Sequence, residues 1–243
     1  VKSLWQRLYD SAWHQPGSEL LFGFVALALA ARWAFSGGRA RSPFLAAWLG
    51  LFGVEILVDA WLTSPHSPLL PDHGGLAGSL AIAFVLLGDL RFYVLVERYT
   101  RDPSPAAKPS AFTLRAVLAG LAWGSLVSVL MAPLARTVPA FQRELRLIFL
   151  TYELMALAQA IVWLTVVIPR RMRALATPAP AVARWLVGAA RFIVAQYALW
   201  ALADVIILWA HPAGFLLRVV PNVLYYGFFV GYVFWRAPPA IRS

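Results

Sequence analysis

Leu86-Leu87-Gly88-Asp89-Leu90-Arg91-Phe92-Tyr93-Val94-Leu95-Val96-Glu97-Arg98 is the stretch on which the fold reading turns. The residues before it, 76 to 87, carry no charge, so Asp89 and Arg91 fall inside an apolar segment rather than beyond its end. An unpaired charge in hydrocarbon costs several kcal/mol or forces neutralisation. A segment that keeps an acid and a base there is expected to cross a membrane and to turn both groups toward other helices.

Composition supports this reading. Hydrophobic residues make up 61% of the 243 and charged residues 13%, with 11 Trp. Soluble domains average nearer half apolar and a quarter charged, so the chain is expected to be an all-α, polytopic integral membrane protein. Its net charge of +10 would suggest nucleic acid in a soluble protein. Arginines placed between apolar spans are instead the ordinary topology signal, so no nucleic-acid partner is expected.

Missing residue types remove several functions. Without Cys there is no disulfide and no thiolate metal or haem chemistry. Lys occurs only at Lys2 and Lys108, outside the apolar runs, so a retinal Schiff base has no anchor. His14, His66, His73 and His211 all lie off mid-span, against transmembrane bis-His haem and His-based intramembrane zinc sites. No cofactor and no metal are expected.

Seven spans are predicted, near 18–35, 43–63, 75–98, 110–134, 141–168, 182–209 and 214–235, within a transmembrane domain of residues 18–236. Each is long enough, at about 1.5 Å per residue, to cross about 30 Å of hydrocarbon. Before them, residues 1–17 hold a short amphipathic helix. Leu4, Trp5, Leu8, Tyr9, Ala12 and Trp13 lie on one side and Gln6, Arg7, Asp10 and His14 away from it, as in an interfacial anchor. This segment does not read as a signal peptide, because its polar start is long and the next span ends in Arg32 and Arg39. Residues 237–243 form a tail. Alternate connections and the tail hold thirteen basic residues, and the opposite side six. That asymmetry places the N-terminus outside and the C-terminus in the cytoplasm of a cell with the protein in its inner membrane. Small residues at four-residue spacing (Gly120, Gly124, Ser128; Gly227, Gly231) are expected to bring helices close.

The candidate site is the set of polar residues at membrane depth. Glu55 and Asp59 share a face of the second span, with no basic residue on their own helix. Glu153, Tyr197 and Asp204 come from the fifth and sixth spans, and Arg218, Asn222, Tyr225 and Tyr226 line one face of the seventh, near Pro221. These are expected to converge on an acid-rich cavity. Asp89, Arg91 and Arg191 form a second group, with Asp89–Arg191, Glu153–Arg146 and Asp204–Arg218 as expected interhelical pairs. An excess of acid over base points to protonation, to a bound cation or to water. The leading function is binding or translocation of a proton, cation or small amphiphile. The expected partner is the lipid bilayer, with a homo-oligomer or a larger membrane complex as the alternative use of the small-residue faces to packing within the monomer. A non-catalytic scaffold, in which every acid is saturated by Arg, is a third class of reading.

Two local motifs carry other readings. His66, Asp72 and His73 lie in a Ser/Pro/Gly-rich loop whose spacing matches no compact metal motif. Glu97-Arg98-Tyr99 is similar to the acidic-Arg-Tyr triplet of G-protein-coupled receptors, whose other landmarks are missing here; a helix-end charge pair explains it. Gly88-Asp89 and Ala203-Asp204 resemble the paired intramembrane aspartates of lysoplasmalogenase-type membrane hydrolases. That resemblance implies vinyl-ether hydrolysis with Asp89 and Asp204 as acid and base. It covers two dipeptides; the second span lacks the Lys-Pro of that family, and seven spans are counted rather than eight. Whether the chain is an enzyme is left open by the sequence.

The basic asymmetry makes a direct prediction. Reporter fusions within residues 36–42, 102–108 and 172–180 should all report a cytoplasmic location, and an external reporter at residue 175 would overturn the seven-span assignment.

Overall fold

Apolar runs bounded by proline and glycine become helices along the whole chain. The computed structural model describes residues 2–11, 17–35, 42–62, 74–103 and 109–242, and no strand occurs among them. The loop with His66, Asp72 and His73, and Ala12, Trp13 and His14 of the expected amphipathic face, lie outside the described residues.

Helix α1 (Leu4–Tyr9) is capped by the Ser3 side chain, which accepts from the Gln6 backbone N–H. It is followed by α2 (Ser18–Phe35), α3 (Pro43–Leu62), α4 (Gly74–Arg101), α5 (Pro109–Thr137) and the short α6 (Pro139–Arg143). Next come α7 (Leu145–Val162) and α8 (Ile168–Arg173), joined without a break by a π-helical turn at Trp163–Val167. Then α9 (Pro180–Leu208) leads to α10 (Ala213–Val223), which runs through a second π turn, Leu224–Phe228, into α11 (Phe229–Arg236) and α12 (Pro239–Arg242). The expected fifth span begins at 141; the chain instead breaks at Glu144, whose extended backbone ends α6 and starts α7.

Five of these helical stretches are long and apolar enough to cross a membrane: Pro43–Leu62, Leu114–Thr137, Leu145–Arg173, Pro180–Leu208 and Ala213–Arg236. They are compatible with a multi-pass membrane protein. Helices α2 and α4 occupy the other two expected spans; counted over the described residues alone, they are not among the five. The second half of α4 carries Asp89, Arg91, Glu97, Arg98 and Arg101. Large apolar side chains face outward on the long helices, among them Leu51 and Trp61 of α3, Leu118 and Val129 of α5, Ile161 of α7 and Leu202 of α9. Helices apolar both inside and outside are the pattern of a bundle whose solvent is lipid.

The interior is closed by small residues and aromatics. Ala156 and Ala160 of α7 and Ala189, Ala190, Ala201 and Ala203 of α9 are buried, which lets neighbouring backbones come close. Phe92, Tyr93, Trp123 and Trp163 pack edge-to-face, with ring centroids 5.1–6.3 Å apart. The turn from α9 into α10 is a Schellman-type stop: His211 N–H reaches back to the Ile206 carbonyl, with Ala210 at φ 59°.

One end of the bundle is rich in arginine. There Glu97 is buried and accepts from Arg101 at 2.7 Å and from Arg171 of α8 at 2.7 Å. The Glu97-Arg98-Tyr99 triplet is therefore an interhelical tie: Ser42 and Tyr99 share a hydroxyl hydrogen bond of 2.8 Å, and Tyr99 packs edge-on against Trp185.

Gly120 and Gly124 face α4, so the four-residue pattern is used within the monomer. A Cβ at Gly120 would lie 2.9 Å from the Val94 backbone N. Gly120→Ala should therefore separate α4 from α5 and lower stability by about 1–3 kcal/mol. At Gly50 the nearest atom to a new Cβ is 4.0 Å away, so Gly50→Ala should leave the melting temperature in detergent unchanged or raised. Equal melting of the two variants would contradict this packing.

Candidate functional site

Three polar clusters lie inside the bundle, and all but one of the residues expected from sequence belong to them. The first is built around Arg91 of α4, which is 1% exposed. Its Nε donates to Glu55 Oε2 at 3.1 Å, Nη2 donates to the same oxygen, and Nη1 donates to the Tyr225 backbone carbonyl at 3.0 Å. The π turn makes that carbonyl available. Phe229 N–H, which an α-helix would give to Tyr225, bonds Leu224 instead. The guanidinium lies 4.7 Å from the Tyr225 ring centroid and 5.7 Å from that of Tyr226. Trp48 Nε1 donates to the Arg91 carbonyl at 3.0 Å, fixing the backbone beneath it.

Beside this pair, Asp59 of α3 is hydrogen-bonded by the Tyr226 hydroxyl. Glu19 of α2 is buried here too, within electrostatic reach of Asp59, Glu55 and Arg91. Sequence reasoning missed Glu19. An acid in the first turn of a helix is favoured there by the helix dipole, and that ordinary explanation hides its inward orientation.

The second cluster holds Asp89. Tyr152 of α7 donates to one of its oxygens and Tyr197 of α9 to the other. Gly88 makes room alongside, because any Cβ there would overlap the Tyr225 hydroxyl. The expected Asp89–Arg191 pair is not formed. Arg191 is exposed on the outward face of α9, whereas Tyr197 faces inward. Six residues on a helix amount to 600° of rotation, which places them on opposite-leaning faces.

The third cluster joins α7, α9, α10 and α1. Arg218 Nη1 donates to Glu153 Oε1 at 3.0 Å and also to Asp204 Oδ1, while its Nε donates to the Tyr9 hydroxyl at 3.0 Å. Arg146 donates to Asp204 Oδ1 at 3.3 Å. The expected Asp204–Arg218 pair is present. Glu153, expected on Arg146, is taken by Arg218, and Arg146 goes to Asp204. One turn beyond Arg218, Asn222 accepts from Trp200 Nε1 at 2.7 Å. The inward face of Arg218, Asn222 and Tyr225 read from the sequence is thus intact.

Chemically, the buried acids of these clusters, Glu19 apart, meet two kinds of partner. Glu55, Glu153 and Asp204 are ion-paired with guanidiniums; Asp89 and Asp59 are met by phenol hydroxyls. Four buried carboxyl oxygens, on Glu19, Glu55, Glu153 and Asp204, accept no hydrogen bond among the described residues. No group of three His, Asp or Glu among the described residues is placed to hold a metal ion. Asp89 and Asp204 do not face each other. Asp89 meets Tyr197, seven residues from Asp204 on α9, about 10 Å along the axis, and Tyr197 leans toward the helix N-terminus, away from Asp204.

The Arg91–Glu55 pair sets a clear expectation. Glu55→Gln or Arg91→Gln alone strands a buried partner and should cost about 3–5 kcal/mol. The double substitution should cost much less than the sum, read as unfolding midpoints in detergent in a double-mutant cycle. Additive losses would show that the two side chains do not depend on each other.

Comparison with protein-family models, with curated proteins and with solved structures finds no match.

Proposed function

We propose that the chain is a seven-span inner-membrane protein, N-terminus outside, whose interior binds and relays a proton. The observation that carries this reading is Asp89, buried and held by the hydroxyls of Tyr152 and Tyr197, with no guanidinium among the described residues on either oxygen. A carboxyl between two phenols sits among groups that each donate and accept, which is what proton transfer along hydrogen bonds requires. An acid bound to Arg has no such freedom.

The surroundings support the direction of the relay. Asp59 with Tyr226, and Glu19 beside it, extend the acid and phenol groups toward the end where α1 packs on α10. On the other side of Asp89 the Phe92, Tyr93, Trp123 and Trp163 rings close the bundle before Glu97. A proton entering from the α1 end would reach Asp89 and meet a layer of packed aromatic rings. That arrangement suits a proton bound at mid-depth and passed on by a change in packing, and the two π turns beside that layer and beside Arg91 are elements of the kind often found at functional sites. A cation or small amphiphile is then cargo coupled to the proton.

The scaffold reading draws on Arg91 and Arg218, which saturate one oxygen each of Glu55, Glu153 and Asp204. It leaves Asp89, held by two phenol hydroxyls, and the buried Glu19 unexplained. The hydrolase reading needs Asp89 and Asp204 as partners across one substrate, and Asp204 is committed to two guanidiniums.

Proteoliposomes carrying a pH dye and an imposed inside-negative potential separate these readings. The wild type should take up protons. Asp89→Asn, which keeps the size and one acceptor oxygen, should lower that flux by about tenfold or more with little change in melting temperature. Unchanged flux in a folded Asp89→Asn variant would make Asp89 a packing residue and the scaffold reading the better one.

A further inference from the structure

One cavity lies away from these clusters. It opens at the arginine-rich end, between the start of α9 and the end of α11, with a volume of about 220 Å³. Arg184 and Trp185 line one wall, Tyr232 and Arg236 the other. Both arginines are exposed, and neither forms an ion pair among the described residues. The described acids of this end are Glu97 and Asp102. Glu97 is already shared by Arg101 and Arg171, and Asp102 follows α4 on the same side.

The cavity is shaped by the fold rather than left over from it. Trp185 is buried and its indole N–H is used on the Val233 carbonyl at 3.1 Å, which fixes α9 to α11. The Tyr232 hydroxyl rests over Gly188, one turn along from Arg184, where any Cβ would overlap it. Arg191, a further turn along the same outward face, is exposed within the apolar Pro180–Leu208 stretch, whose mean hydropathy is 1.6. A lipid-facing guanidinium at that depth is costly unless it reaches back toward the headgroups. The direction in which it would reach is that of Tyr232 and Arg184.

We infer that this cavity binds the phosphate of an anionic phospholipid, held by Arg184 and Arg236, with the Tyr232 hydroxyl as a further donor and Arg191 along the acyl-chain side. Two guanidiniums without carboxylates offer paired donors to phosphate oxygens. Drug-sized ligands fill roughly 300–1,000 Å³; a phosphodiester headgroup needs only to insert its phosphate and leave the chains outside. The inference rests on α9 and α11 crossing a bilayer and not on the proton relay, so the flux assay and the lipid assay fail separately.

The test is native mass spectrometry of the purified full chain titrated with phosphatidylglycerol or phosphatidylcholine. Wild type should retain phosphatidylglycerol over phosphatidylcholine. Arg184→Gln/Arg236→Gln should weaken phosphatidylglycerol binding by about tenfold or more, while Arg143→Gln, which removes an exposed charge from α6 at the other end, should not. Arg184→Lys/Arg236→Lys, which keeps the charge and loses the fork, should fall between, and melting temperatures confirm that the variants fold. Displacement by millimolar inorganic phosphate would assign the site to a soluble phosphate ligand; resistance to it assigns the site to lipid. Equal retention of both lipids by wild type, or equal binding by wild type and the double Gln variant, would overturn the inference.

Discussion

The bundle depends on how Arg91 is satisfied. A guanidinium has five N–H donors in a fixed plane and cannot shed its charge, so in a low-dielectric interior the protein must surround it. It does so with parts from two neighbouring elements: Glu55 from α3, and, from the π turn after α10, the Tyr225 carbonyl and the faces of Tyr225 and Tyr226. The π turn is what allows this, because it moves Phe229 N–H off the Tyr225 carbonyl. Without a redirected carbonyl, Arg91 would rely on a single carboxylate. Buried pairs of that kind contribute little net stability and are costly to break, which makes this one a determinant of register among α3, α4 and α10.

The polar residues are then arranged in layers. Nearest the α1 end are Arg218 with Glu153 and Asp204, and Glu19 with Asp59; at mid-bundle come Asp89 and Arg91; at the arginine-rich end, Glu97 with Arg101 and Arg171. Between the last two layers the Phe92, Tyr93 and Trp163 rings pack edge-to-face. Tyr9 ties α1 to the first layer through Arg218 and packs near Phe215, ring centroids 5.9 Å apart. The short N-terminal helix is therefore fastened to a buried charge, in addition to presenting Leu4, Trp5 and Leu8 outward.

Much of this was legible in the sequence because helices and buried acids announce themselves locally. Apolar runs with proline and glycine at their ends gave helix bounds within a few residues, as for Pro43–Leu62 and Pro180–Leu208. The column of Arg218, Asn222 and Tyr225 followed from helical period. Partners were not legible, since pairing depends on the rotation and register of two helices, and a helix that is apolar on every side offers no stripe from which to read its rotation. Hence the sequence pairs Arg191 with Asp89, whereas Arg191 faces outward; it pairs Glu153 with Arg146, whereas Glu153 meets Arg218; and it groups Arg91, the partner of Glu55, with other residues. Glu19 was hidden by its position at a helix start, and Tyr152 by its being one aromatic among many.

The distinction between arginine-held and tyrosine-held acids gives the layers different physical characters. A carboxylate facing a guanidinium is stabilised as an ion, and moving a proton onto it abandons that pairing; Asp204, shared by Arg218 and Arg146, is the extreme case. A carboxyl facing phenols gains hydrogen bonds in either protonation state, because a hydroxyl can turn from donor to acceptor. Asp89 has a phenol on each oxygen, and it lies on the same helix as Arg91, two residues away, near a π turn that already departs from α-helical bonding. A change of charge at Asp89 would therefore be felt first by the Arg91 network, which is the network that fixes three helices in register. In the proposed relay, proton occupancy and helix packing are coupled at that point by proximity alone, with no need for a longer path through the protein.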